Sequence, residues 1–276
     1  MLANKVEDID SNVRSALARK LTPLQSLNWT QRGACSVVGS GPSLKENWGK
    51  LKNFKGDIMA CNAAYQFLLG KGITPKYMMC FDADPLMLEF ITPHPEITFL
   101  ISSRCPPKTF DLLEGCNVVC WHASGDPNIE AILQKAGRFE DPMVIGGTAA
   151  VTRAMVLAQT LGYTEIHLWG ADSSFNKGET HIRQSTTVEK RMVVNVGAKV
   201  FEVAPWMTQQ AEDFKILGPQ LRDMFGVKLI VHGTGLIPHI ARIMGFETHI
   251  EPNWKYQARY IAQSISWKAR TLWNHF

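Results

Sequence analysis

Ser36-Val37-Val38-Gly39-Ser40-Gly41-Pro42-Ser43-Leu44-Lys45 runs from an apolar segment into a two-glycine turn and reopens as a helix. In such a strand-turn-helix unit the turn amides and the helix N-terminus point at one spot, which makes a ready site for an anion. Gly39 and Gly41 allow positive φ and the close approach of a phosphate, with Ser40 between them; Pro42 suits the first helical turn and Ser43 can cap. The same residues also make a tight βα turn with no ligand at all. Neither the Walker pattern nor the third glycine of the dinucleotide fingerprint is present.

Outward from this turn, short apolar runs alternate with amphipathic ones. Strands are expected at 35–38, 57–60, 77–81, 98–101, 117–121, 165–169 and 228–231, and helices at 44–51, 63–69, 86–91, 108–113, 128–136, 148–161, 207–225 and 236–244. Several strands are apolar without interruption, as strands covered on both faces are. The helix at 148–161 is apolar nearly all round and is expected to lie buried at the centre. This rhythm predicts an α/β, Rossmann-like three-layer domain with a mainly parallel sheet, plus an N-terminal helix and a C-terminal helical tail. The expected division is an N-terminal helical extension at 1–32, the main domain at 33–250 and a basic aromatic tail at 251–276. Residues 173–205 are polar and mixed and read as a lid over an active site.

The composition fits this reading. The chain has 276 residues, 45% of them hydrophobic and 20% charged, so its core needs no covalent staples. Its six cysteines include no Cys-x-x-Cys pair and read as small buried hydrophobes. No segment resembles a secretory signal or reaches the ~18 continuous apolar residues of a membrane span, so a cytoplasmic location is expected. The net charge of +4 suits anionic small molecules. No nucleic acid is expected as a partner. The tail interleaves Lys255, Arg259, Lys268 and Arg270 with Tyr256, Tyr260, Trp267 and Trp273, and would pack on its own domain or join a homo-oligomer.

Four further constellations fall at the ends of expected strands, the edge where such sheets hold ligands. Asn62 either caps a helix or hydrogen-bonds a base or ribose. Asp82 and Asp84 project together and can hold Mg2+ beside donor phosphates; Asp84, before Pro85, can equally cap the next helix. Gly146, Gly147 and Thr148 form a second amide cradle at a helix start, or an ordinary packed cap. Asp172 ends another strand and can reach the same crevice as a catalytic residue, as can Asp82, and His181 on the expected lid could close over the substrate as general acid or base. The remaining histidines show no metal-ligand spacing.

Together, the Gly39-Ser40-Gly41-Pro42-Ser43-Leu44 turn, Cys61-Asn62, the run from Pro75 to Asp84, and the block from Gly147 to Gly170-Ala171-Asp172 resemble the 6-hydroxymethylpterin diphosphokinase MptE-like family. They also resemble its relatives, the Maf flagellin glycosyltransferases and the bacterial sialyltransferases that use CMP-activated sugars. Similarity to the diphosphokinase implies ATP and Mg2+, pyrophosphoryl transfer to a hydroxymethyl acceptor, and metal-binding acids at Asp82 and Asp84. Similarity to the sialyltransferases implies CMP held through Ser40, Asn62 and Thr148, with His181 as base. The chain departs from both patterns: no glycine follows Asp84, and the segment after Asp172 is not tyrosine-rich. The expected function is a nucleotide-dependent transferase with ATP or a nucleotide-sugar as co-substrate and a hydroxyl acceptor. A non-catalytic nucleotide-binding or assembly protein is the rival from another class.

Overall fold

A computed structural model describes residues 6–182 and 190–249. The tail expected at 251–276 and residues 183–189 of the expected lid lie outside the described residues.

The strands are β1 (Thr22–Pro23), β2 (Ala34–Val38), β3 (Asp57–Cys61), β4 (Tyr77–Cys80), β5 (Thr98–Ser102), β6 (Asn117–Ala123), β7 (Met143–Val144), β8 (Glu165–Trp169), β9 (Met192–Val196), β10 (Lys199–Val203), β11 (Lys228–His232) and β12 (Glu247–His249). The helices are α1 (Val6–Leu17), α2 (Leu44–Asn47), α3 (Ala63–Leu69), α4 (Pro107–Leu112), α5 (Pro127–Lys135), α6 (Ala150–Thr160), α7 (Pro205–Asp223) and α8 (Leu236–Ile243). Ten strands form one sheet in the order β1-β6-β5-β4-β3-β2-β8-β11-β12, with β7 beside β6. Every strand pair in it is parallel.

The apolar strands divide their side chains between two cores, as the two-residue period of a strand dictates. Val37, Met59, Met79, Leu100, Val119 and Leu168 point to one face, where α6, α7 and α8 cover them. Val38, Ala60, Met78, Ile101, Cys120 and Trp169 point to the other, against α2, α3 and α4. Helix α6 is buried from Val151 through Ala158, as its all-round apolar sequence predicts. Helix α1 packs outside the sheet on α5, through Ile9 and Val13 against Ile129, Ile132 and Leu133.

Three elements differ from expectation. The helix expected at 44–51 is α2 for four residues and then a 3-10 segment, Trp48–Asn53. The helix at 86–91 is a 3-10 segment, Pro85–Phe90, started by Asp84 as its cap. The polar stretch 173–205 carries an antiparallel hairpin, β9 with β10, whose Phe201 and Val203 are buried in the core. That part of the stretch is packed structure.

The strand order reverses between β2 and β8. In open parallel sheets this switch point is where ligands gather, at the carboxyl ends of the strands.

Candidate active site at the carboxyl edge of the sheet

The turn after β2 lies against the end of β8. The Gly39 amide donates to the Trp169 carbonyl and the Gly41 amide to the Gly170 carbonyl, both at 2.7 Å. A Cβ on Gly41 would stand 2.6 Å from the Gly170 oxygen and 2.7 Å from Asp172 Oδ2, so only glycine lets the two strand ends approach this closely. Neither Gly39 nor Gly41 has a positive φ. Their role in the fold is close contact with β8.

Asp172 completes the junction. Its Oδ2 accepts the Ser43 amide at 2.6 Å, and its Oδ1 accepts the Ser43 hydroxyl at 2.5 Å. The anion expected at the start of α2 is thus supplied by the protein itself, and the Ser43 hydroxyl serves Asp172 in place of capping. Gly235 lies under the Asp172 main chain and Gly233 against Ser43, which ties the end of β11 into the same knot. Burial pushes the Asp172 carboxyl up to about 6, and the two Ser43 bonds oppose that rise.

One strand away, at the end of β3, Asn62 adopts φ 47° and ψ −125°, a region that costs a non-glycine residue of order 1–3 kcal/mol. Its side chain makes no cap bond to α3, and its Oδ1 is buried with no hydrogen-bond partner among the described residues. Asn62 therefore does not cap α3 through its side chain, and a strained backbone presents an orphaned acceptor at the sheet edge.

Beyond β4, the Asp84 amide donates to Asp82 Oδ1 at 3.2 Å, and Asp84 Oδ1 accepts the Leu86 amide at 3.0 Å as a cap. Each carboxylate therefore has one oxygen tied to local backbone. After β7, Gly146 and Gly147 both have positive φ, but the Thr148 amide and hydroxyl each donate to Asp213 Oδ2 on α7 at 2.8 Å. A second internal carboxylate thus takes the Thr148 share of the donors expected in the second cradle.

His181 stacks on Trp206, with ring centres 5.6 Å apart and planes 15° from parallel, and its Nδ1 lies 2.9 Å from Thr180 Oγ1. The next residue donates its amide to the Ser40 carbonyl at 2.8 Å, and Lys45 pairs with Glu179 at 2.6 Å. These bonds bring the His181 segment onto the Gly39–Ser43 turn.

Sequence reasoning passed over Arg104 and Arg153. Arg153 is buried and is the one charged residue of the largely apolar α6, and that lone charge was the available signal. Among the described residues no group of three or more His, Cys, Asp or Glu side chains could hold a metal, and no helix is long and apolar enough to cross a membrane. All six cysteines are unbridged, and five are buried. Two surface hollows, of about 240 and 480 Å3, are lined by none of the candidate residues.

The sequence pattern described as "6-hydroxymethylpterin diphosphokinase MptE-like" matches residues 6–178, well over half of the chain. The chain belongs to this MptE-like family. That span contains every candidate residue above except His181. No curated protein matches the MptE-like chain in sequence. Among solved structures it is similar to the Maf glycosyltransferase from Magnetospirillum magneticum AMB-1, at 17% identity and a TM-score of 0.60 over 89% of this chain. The chain spans 38% of the length of that protein. Lesser similarity extends to the sialyltransferase CstII from Campylobacter jejuni, at 19% identity and a TM-score of 0.38, over 78% of this chain and 84% of that one. A mammalian sialyltransferase matches at 13% identity and a TM-score of 0.39, over 82% and 79% of the two chains.

Proposed function

We propose that the chain is a nucleotide-dependent transferase that carries out ATP- and Mg2+-dependent diphosphoryl transfer to a hydroxymethyl, pterin-like acceptor. The observation that carries this reading is Asn62: a strained residue with a buried, unpartnered acceptor, at the carboxyl edge and inside the span that matches the family. Such an acceptor suits the amino group of a base or a ribose hydroxyl. Ser40 and the Gly39–Ser43 turn would lie beside the nucleotide, with Gly146, Gly147 and Thr148 bordering it.

Asp82 and Asp84 offer hard carboxylate oxygens two residues apart, a donor set that fits Mg2+ beside phosphate oxygens. The metal would neutralise donor charge. Asp172, with both oxygens engaged by Ser43, serves as a positioning residue that holds the turn in place. Orientation of the acceptor hydroxyl and neutralisation of the phosphates would supply most of the rate enhancement.

A second reading, glycosyl transfer from a nucleotide-activated sugar, draws support from the placement of His181 on the Ser40 turn, where it could act as general base. A thermal-shift panel of ATP with Mg2+, CMP, CDP, UDP and GDP tests both. A nucleotide at about 100 times its Kd adds ~2.7 kcal/mol of stability. ATP with Mg2+ is expected to be the one clear stabiliser; a shift with CMP alone would favour glycosyl transfer, and no shift with any nucleotide would remove both readings.

A further inference from the structure

Phe81, the first residue after β4, is flanked by two arginines. The guanidinium carbons of Arg104 and Arg153 each lie 4.5 Å from the centre of its ring, so they are at most twice that distance apart. Trp121 backs the same ring at 5.9 Å, nearly parallel. Arg104 follows the end of β5 and Arg153 lies in the first turn of α6, so both belong to the carboxyl edge.

Arg153 is 7% exposed. Its Nη1 donates to the Val144 carbonyl at 2.6 Å and its Nη2 to the Ser124 carbonyl at 3.2 Å, while the Gly146 backbone presses on it from outside the helix. Those bonds orient the guanidinium, but neutral carbonyls do not cancel its charge. The Nε atoms of both arginines are buried without a hydrogen-bond partner, and neither residue has a carboxylate within ion-pair distance, among the described residues. Burial, and then the charge of Arg104, pull the Arg153 pKa down to about 10; Asp213 opposes this, but its carboxylate is occupied by Thr148 and Gln209. Two like charges held together with unused N–H groups are costly unless an anion joins them. A guanidinium that lies over an aromatic ring can still donate charge-assisted bonds from its edge to an oxyanion.

We infer that Arg104 and Arg153 form a clamp for a phosphate-type oxyanion carried by a small-molecule substrate. The inference rests on the transferase reading only for the source of the anion, which is either the donor's phosphates or a phosphate on the acceptor.

The test is calorimetric titration of the full chain with inorganic pyrophosphate, in wild type, Arg104→Gln, Arg104→Lys and Arg153→Gln. Because Arg153 also tethers two strand ends, the Arg104 variants carry the test if Arg153→Gln does not fold. Pyrophosphate should bind the wild type, bind Arg104→Gln at least tenfold more weakly, and bind Arg104→Lys with intermediate affinity, since lysine keeps the charge and loses the fork. Absence of pyrophosphate binding, or equal affinity in a folded Arg104→Gln, overturns the clamp. A parallel titration with ATP and Mg2+ separates the sources. A matching loss in Arg104→Gln assigns the clamp to the donor, and unchanged ATP affinity alongside weakened pyrophosphate binding assigns it to the acceptor. If the wild type binds pyrophosphate through Arg104 but no nucleotide, the clamp stands and the nucleotide reading falls.

Discussion

Asp172 and Ser43, 129 residues apart, are joined by two hydrogen bonds, one to the Ser43 amide and one to its hydroxyl. This pairing fastens the end of β8 to the turn after β2 at the point where the strand order reverses. It also fixes which backbone donors are left for a ligand, because the Gly39, Gly41 and Ser43 amides are all used within the protein.

The pairing makes stability depend on pH. The folded Asp172 carboxyl is raised from its ordinary 3.8 to about 6, so between about pH 4 and pH 6 the unfolded chain releases a proton that the folded chain retains. Stability from this group is therefore greatest below about pH 4, falls by roughly 3 kcal/mol as pH rises to about 6, and then levels. Asp172→Asn does not titrate. Its unfolding free energy relative to wild type should improve by that amount across the window, measured by urea denaturation; a difference that does not vary with pH contradicts the account of this buried carboxyl.

Gly41→Ala places a methyl group against the Gly170 carbonyl and the Asp172 carboxylate. The expected cost is about 1–3 kcal/mol of stability, the usual range for overpacking, seen as a lower urea midpoint at unchanged m-value. Gly49→Ala, where a Cβ meets nothing within 4 Å, is the control and should be near neutral.

Asn62→Gly relieves the positive φ at the end of β3 and should leave the chain as stable as wild type or more so by up to ~1 kcal/mol. It also deletes the orphaned acceptor, so nucleotide affinity should fall at least tenfold in the same preparation. Loss of stability with intact binding would instead mean that Asn62 is a structural residue.

His181→Ala distinguishes the two chemistries. If the histidine is the base of a glycosyl transfer, kcat should fall by about 10²–10⁴ with little change in KM. A diphosphoryl transfer that relies on Mg2+ and positioning should lose far less, and chelation of the metal should abolish it.

Much of the fold was legible because its strands are covered on both faces, so each reads as an apolar run that ends sharply. Ala34–Val38 and Glu165–Trp169 are examples whose ends fall within a residue of expectation. The hairpin was legible in principle, since Val196-Gly197-Ala198-Lys199 is a turn between β-branched runs, with Gly197 at φ 59°, but the polar residues before it masked the pattern. The candidate site was legible as a set of strand ends and much less so as a set of contacts. Nothing local in Ser43 or Thr148 announces that Asp172 and Asp213 will take their donors, and nothing in Arg104 or Arg153 announces a shared ring. Those partners meet only when the sheet is assembled.

The most direct test of the central claim is a crystal structure of the full chain with ATP and Mg2+. The account predicts a nucleotide laid along the carboxyl edge, with its base or ribose within hydrogen-bond distance of Asn62 Oδ1 and its phosphates directed toward Asp82. A nucleotide bound elsewhere, such as the hollow beside Val194 and Lys215, or a chain that takes up none at millimolar concentration, would contradict it.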